Sequence, residues 1–102
     1  MIRHIVLARL RPDLSKQETE TLLTAIRGMK TEIPGILQIE IGADNSPEGL
    51  ARGYGHAFTV DFVDASARDA YLPHPHHAKV AQALVAATQG GVDGLLVLDF
   101  EA

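Results

Sequence analysis

The chain carries five histidines, and their setting makes proton transfer the first chemistry to consider. His4 stands among aliphatic residues in Ile2-Arg3-His4-Ile5-Val6-Leu7, and His56 heads the stretch His56-Ala57-Phe58-Thr59-Val60. The other three lie in Tyr71-Leu72-Pro73-His74-Pro75-His76-His77. Imidazole changes charge near neutral pH and can act as acid, base or metal ligand. Tyr71 adds a phenol hydroxyl to the same segment. Packing and backbone hydrogen bonding account equally well for a core histidine such as His4 or His56. His74 is expected to hold the proline-broken turn by bonding to backbone, and His76 to point to solvent. Neighbouring histidines on a helix point apart and no carboxylate completes a ligand set, so no metal site is expected. No glycine-rich phosphate loop follows a strand, and no Ser-His-Asp context is present. Asp13, Asp61, Asp64 and Asp99 read as caps and surface charges rather than as an acid–base pair.

The elements that must position these groups follow from periodicity. Ile2 to Leu10 reads as a central strand, with His4, Val6, Ala8 and Leu10 on one face and Ile5 and Leu7 on the other. Ser15 and Glu18 have capping-box spacing and start a helix whose apolar stripe is Leu22, Leu23, Ile26 and Met29. Pro34-Gly35 ends it. Ile36 to Ile41 is a second strand, with Leu37, Ile39 and Ile41 on one face. A polar loop leads to a third strand, Tyr54 to Val63, in which His56, Phe58, Val60 and Phe62 share a face. Asp64 or Ser66 caps a second helical region. Pro73 and Pro75 break it, because each lacks an N–H and restrains the residue before it. The helix resumes near His76, and His77, Val80, Ala81 and Leu84 form its inward stripe. After Gly90-Gly91, Val92 to Phe100 is the last strand.

Bulk properties narrow the function classes. A length of 102 residues suits a single domain spanning residues 1–102. A domain this small gains from association with a second copy. The net charge of −4 and the lack of a basic stretch argue against nucleic acid and anionic membrane surfaces. There is no cysteine, which fits a cytoplasmic protein. No apolar run approaches the roughly 20 residues of a membrane span, and the start lacks a secretory h-region.

The order strand, helix, strand, strand, helix, strand predicts an α+β, ferredoxin-like sandwich (βαββαβ) with both helices on one face of a four-stranded antiparallel sheet. The first and third strands are expected to be adjacent, central and parallel, which sets His4 and His56 side by side at one end. The third strand runs roughly 23 Å from Val63 back to His56. The following helix returns roughly 20 Å from Asp64 to His77. The expected result is one pocket, with His4, His56, Val6 and Phe58 as substrate contacts and Tyr71 and His77 beside them.

Several segments together resemble the stress-responsive α/β-barrel (Dabb) domain family. They are Ile2-Arg3-His4-Ile5-Val6-Leu7, Ser46-Pro47-Glu48-Gly49-Leu50 with Gly53-Tyr54-Gly55-His56, Tyr71 to His77, and Leu96-Val97-Leu98-Asp99-Phe100. The resemblance implies a homodimer whose sheets pack face to face into a dimeric α/β barrel. Olivetolic acid cyclase-like relatives place histidines and a tyrosine at the positions of His4, His56, Tyr71 and His77. The resemblance therefore implies His77 as general base and Tyr71 as its orienting or hydrogen-bond-donating partner. Pro73, His76 and the Ala/Val-rich helix after them depart from that pattern and alter the pocket walls. The expected chemistry is cofactor-free acid/base catalysis on a small carbonyl compound, of the polyketide cyclase or isomerase type. A noncatalytic stress-response or ligand-binding protein is the alternative, and a cofactor-free monooxygenase is a third reading by fold analogy alone.

Overall fold

The first strand, β1 (Ile2–Ala8), alternates strictly: Ile2, His4, Val6 and Ala8 are buried, while Arg3, Ile5 and Leu7 are half-buried. The computed structural model, which describes residues 1–102, continues with α1 (Lys16–Glu32), β2 (Ile36–Ala43), β3 (His56–Phe62), α2 (Ala65–Tyr71), α3 (Pro75–Ala87), a 3₁₀ turn (Gly91–Gly94) and β4 (Leu95–Glu101). The sheet order is β2-β3-β1-β4 and every neighbouring pair is antiparallel. This is the ferredoxin-like architecture expected from the sequence.

One expectation within that architecture is corrected. β1 and β3 are adjacent and central but antiparallel. The crossover through α1 makes β1 and β2 run the same way. The β2–β3 hairpin then reverses the chain, so β3, lying between them, must oppose both. His4 consequently pairs with Val60, and His56 pairs with Ala8 at the other end of β1.

The helices cover one sheet face. α1 starts where a capping box forms: Ser15 Oγ accepts from Glu18 N at 3.0 Å, and Glu18 Oε1 accepts from Ser15 N at 2.9 Å. It buries Leu22, Leu23, Ile26 and Met29. Val6, Phe58, Val60 and Phe62 of the sheet meet Ile26, Met29, Tyr71, Val80 and Leu84 in one core. Each such fully buried side chain contributes about 1.5–3 kcal/mol. Gly35 turns the chain into β2 at φ +90°, and a Cβ there would come within 2.6 Å of the Ala67 Cβ. Only glycine lets α2 begin so close to that turn.

β2 departs from simple alternation. A bulge between Ile36 and Gln38 leaves Leu37 unpaired, and that side chain is exposed. Ile36, Ile39 and Ile41 take the helix-facing positions instead. The extra residue shifts the side-chain phase by one, which pattern reading cannot detect.

The sheet face away from the helices is bare. It carries Ile5, Leu7 and Ala57 together with Leu96, Leu98 and Phe100 of β4, the last three exposed. Arg3 and Asp61 pair across it through two bonds of 2.9 and 3.3 Å. The Arg3 guanidinium lies 5.9 Å from the Phe100 ring centre.

Candidate active site

Sheet register builds the first part of the site. His4 on β1 lies directly opposite Asp99 on β4, and its Nδ1 is 2.7 Å from Asp99 Oδ1. The other carboxylate oxygen accepts from Arg68 Nη1 at 3.0 Å, and Arg68 Nε donates to Asp69 at 2.8 Å. Burial acts to raise the Asp99 carboxyl, but hydrogen bonds from His4 and Arg68, and their charges, hold it below the usual carboxylate range. Asp99 is therefore an acceptor and His4 Nδ1 carries the hydrogen. In a neutral His4 ring the lone pair is on Nε2.

The broken helix builds the second part. α2 is capped by Asp64, whose Oδ1 accepts from Ala67 N at 2.8 Å, and ends on Tyr71. Tyr71 is 1% exposed. Its ring packs edge-on against Phe62 at 4.9 Å and His4 at 5.8 Å, and lies 4.1 Å from the His77 ring, tilted by 36°. Burial, and secondarily the negative Asp99, push the Tyr71 phenol far above its ordinary value, so it stays protonated. Its hydroxyl is left for whatever enters the cavity.

His77 sits in the first turn of α3, and its Nδ1 is 2.9 Å from the Leu72 carbonyl. A carbonyl oxygen can only accept, so Nδ1 is the N–H and Nε2 holds the lone pair. The Leu72 carbonyl is free for this bond because Pro73 and Pro75 stop α2 from continuing. Burial lowers the His77 pKa. The Leu72 bond opposes this, and the charges of His4 and His74 add to the lowering. His77 is thus a neutral base at neutral pH.

A cavity of about 210 Å³ joins these groups. His4, Tyr71 and His77 are its polar features. Val6, Met29, Phe58, Leu72, Val80, Ala81, Leu84, Val85, Leu95 and Val97 make the rest of its wall. No Asp, Glu, Lys or Arg side chain lines it. The arrangement can take a proton at His77 Nε2 and present the Tyr71 hydroxyl to an oxyanion.

The structure thus brings together His4, Val6, Phe58, Tyr71 and His77. It does not bring His56 to them. His56 lies four residues along β3 from Val60, the partner of His4, or roughly 13 Å away along the strand. It lines a separate hollow with Leu7, Asp44 and Tyr54. The expectation of one shared pocket fails for His56 because β1 and β3 are antiparallel. His74 does hold the turn, accepting from His76 N at 3.1 Å, whereas His76 is half-buried rather than solvated. Asp99, expected as a surface charge or cap, is the main residue the sequence reading missed. Its signal was the alternation Leu95, Val97, Asp99, which places an acid on the inner face of β4. No group of three or more His, Cys, Asp or Glu side chains is arranged to hold a metal ion.

The fold and this site define a ferredoxin-like α+β protein of a type described in solved relatives as dimeric. A dimeric ferredoxin-like protein of unknown function from Jannaschia sp. superposes with a TM-score of 0.88 at 29% identity, over 99% of this chain and 98% of its own. The chain matches the Stress Responsive A/B Barrel Domain (Dabb) over residues 2–102 and belongs to that family. A stress-response A/B barrel domain-containing protein of Arabidopsis thaliana is 26% identical over 99 residues, covering 96% of this chain and 83% of the relative. A hydroxynitrile lyase from Passiflora edulis shares the fold, with a TM-score of 0.88 at 22% identity over 97% of this chain and 90% of its own. No helix is long and apolar enough to cross a membrane.

Proposed function

We propose that the cavity is the active site of a homodimeric, cofactor-free acid/base enzyme acting on a small, uncharged carbonyl compound or its adduct. The observation that carries this reading is the pinning of both histidines through Nδ1, His4 by Asp99 and His77 by Leu72. Each ring thereby has its Nε2 left for a ligand. His77 Nε2 takes a proton from carbon or oxygen next to the reacting carbonyl, and the Tyr71 hydroxyl hydrogen-bonds the developing enolate or oxyanion. His4, held by Asp99, contacts the same oxygen. An apolar wall with no charged side chain favours a neutral substrate with a hydrocarbon body, because a charged group there would lack a partner. Aldol-type cyclisation, isomerisation and hydroxynitrile cleavage all use such a proton transfer. The bare sheet face supports dimerisation, since water-exposed Leu96, Leu98 and Phe100 lose that contact against a second copy.

The test is turnover and NMR binding with a panel of uncharged β-diketones and aromatic hydroxynitriles, comparing wild type with His77→Gln and Tyr71→Phe. His77→Gln is expected to lower kcat by about 10²–10⁴-fold with the fold retained. Activity should fall in acid as His77 protonates, below the ordinary imidazole value of about 6.5. The alkaline limb should lie above the ordinary phenol value of about 10, because Tyr71 is raised. Binding without turnover in wild type points to the noncatalytic ligand-binding alternative. Turnover that survives His77→Gln unchanged refutes the assignment of the base.

A further inference from the structure

Helix N-caps are usually Ser, Thr, Asp or Asn, yet α3 is capped by a histidine. Pro75 occupies the first helical position and has no N–H, so the first donor needing a partner is His76 N. His74 Nδ1 accepts from it at 3.1 Å. The same residue ties the two helices together, donating its own N–H to the Tyr71 carbonyl at 3.0 Å and accepting from Ala78 N at 2.9 Å. The cap requires a lone pair on Nδ1, hence a neutral ring with its hydrogen on Nε2.

We propose that His74 is a positioning residue for His77 and acts as a proton-sensitive cap: neutral, it holds the first turn of α3; protonated, it releases it. Protonation sets an N–H against an N–H and puts positive charge at the positive end of the helix dipole. The first N–H groups of a helix have no intrahelical partner, so a released His76 N–H is left to water and the first turn frays. His77 is the third residue of that turn. Its Nδ1 is held to the Leu72 carbonyl, outside the helix, at 2.9 Å. Loss of the cap therefore loosens the backbone that carries the His77 ring and weakens the bond that keeps Nε2 free.

The charged and titratable groups around this turn are His76, His77 and Lys79 of α3, Tyr71, Arg68 and Asp69 of α2, His4 of β1 and Asp99 of β4. The two acids are already engaged, Asp99 by His4 and Arg68 and Asp69 by Arg68. Neither acid bonds the His74 ring, whose one hydrogen bond is the cap. That His77 is the base rests on the proposed function; that His74 sets its geometry does not.

The experiment is an NMR titration of ¹⁵N-labelled wild type, His74→Asn and His74→Ala from pH 8 to pH 5, without substrate. It follows the His76 amide protection factor and the ring-nitrogen shifts of His77. In wild type, His76 protection should fall about fivefold as His74 protonates, the size of a lost helix cap. The His77 Nδ1–H signature should weaken in step. Asparagine caps without titrating, so His74→Asn should keep His76 protected throughout, while His74→Ala should lack the protection at every pH. Protonation of His77 itself is common to all three proteins and is subtracted by the comparison. Flat His76 protection while the His74 ring titrates in wild type would overturn the proposal, as would acid loss in His74→Asn equal to wild type. These readouts need no turnover, so a failure to find a substrate would count against the enzyme reading alone.

Discussion

Asp99→Asn is the substitution that most directly tests how the site is held. The carboxylate serves two donors at once, His4 Nδ1 at 2.7 Å and Arg68 Nη1 at 3.0 Å. Asparagine has nearly the same shape but only one carbonyl oxygen, and its NH₂ would face a donor. The side chain of His4 is 8% exposed and that of Arg68 is 25% exposed. The amide should therefore turn its oxygen to His4, and Arg68 should swing toward water while keeping Asp69. Hydrogen bonds to charged groups contribute roughly 1.5–3 kcal/mol, so the expected loss is about 2 kcal/mol. In a domain of this size that lowers Tm by roughly 10 °C. Acid provides the control. The folded pKa of Asp99 lies below its ordinary value, so its contribution is complete above that value, about 3.9, and disappears as pH falls through the folded pKa. Urea unfolding of both proteins should show a gap at neutral pH that closes below about pH 4. A gap under about 0.5 kcal/mol at neutral pH, where unrelated surface changes fall, would refute the idea that Asp99 holds His4 and Arg68 in place.

Two further outcomes test the frame around the site. Leu98→Asp places a charge in the bare sheet face; it should weaken self-association by about 3 kcal/mol, more than a hundredfold, and sedimentation velocity should show monomer at concentrations where wild type is dimeric. A wild type that sediments as a monomer at micromolar concentration excludes the dimer outright. Gly94→Ala brings a Cβ against the Gln89 carbonyl oxygen and within 2.6 Å of Thr88 Cγ2, just before β4 begins. A cost of about 3 kcal/mol is expected by urea unfolding, and an unchanged midpoint contradicts the packing of the 3₁₀ turn.

The fold was legible because local signals agreed with one another. The Ser15–Glu18 box, the Leu22-Leu23-Ile26-Met29 stripe and the alternation around Val6 and Phe58 each specify an element and its buried face without reference to the rest of the chain. The departures at Leu37 and His56 have a different origin. A period of two carried through β2 groups Leu37 with Ile39 and Ile41 on one face, but a bulge there inserts one residue. His56 was placed beside His4 because strand direction depends on the whole βαββ path, not on the composition of β3. Face assignment alone did not decide the outcome: His56 has the same parity as Phe58 and Val60, yet lies at the wrong end of the sheet.

The same distinction explains why Tyr71 and His77 were easier to find than Asp99. Their neighbourhood is local, since the six residues from Leu72 to His77, two of them prolines, bring the Leu72 carbonyl to the His77 ring. The spacing and the breaks can be read along the chain. Asp99 meets His4 only through the β1–β4 register, across 95 residues. A one-residue slip of β4 would turn Asp99 to the bare face and bring an apolar neighbour, Leu98 or Phe100, opposite His4 instead. That register depends in turn on where β4 begins, immediately after Gly94, at a place too crowded for any side chain. The electrostatic support of the candidate site therefore rests on a glycine outside its wall. Sequence reasoning recovers the groups poised for chemistry more readily than the partner that orients them, because the first depend on helix breaks nearby and the second on the pairing of strands at opposite ends of the chain.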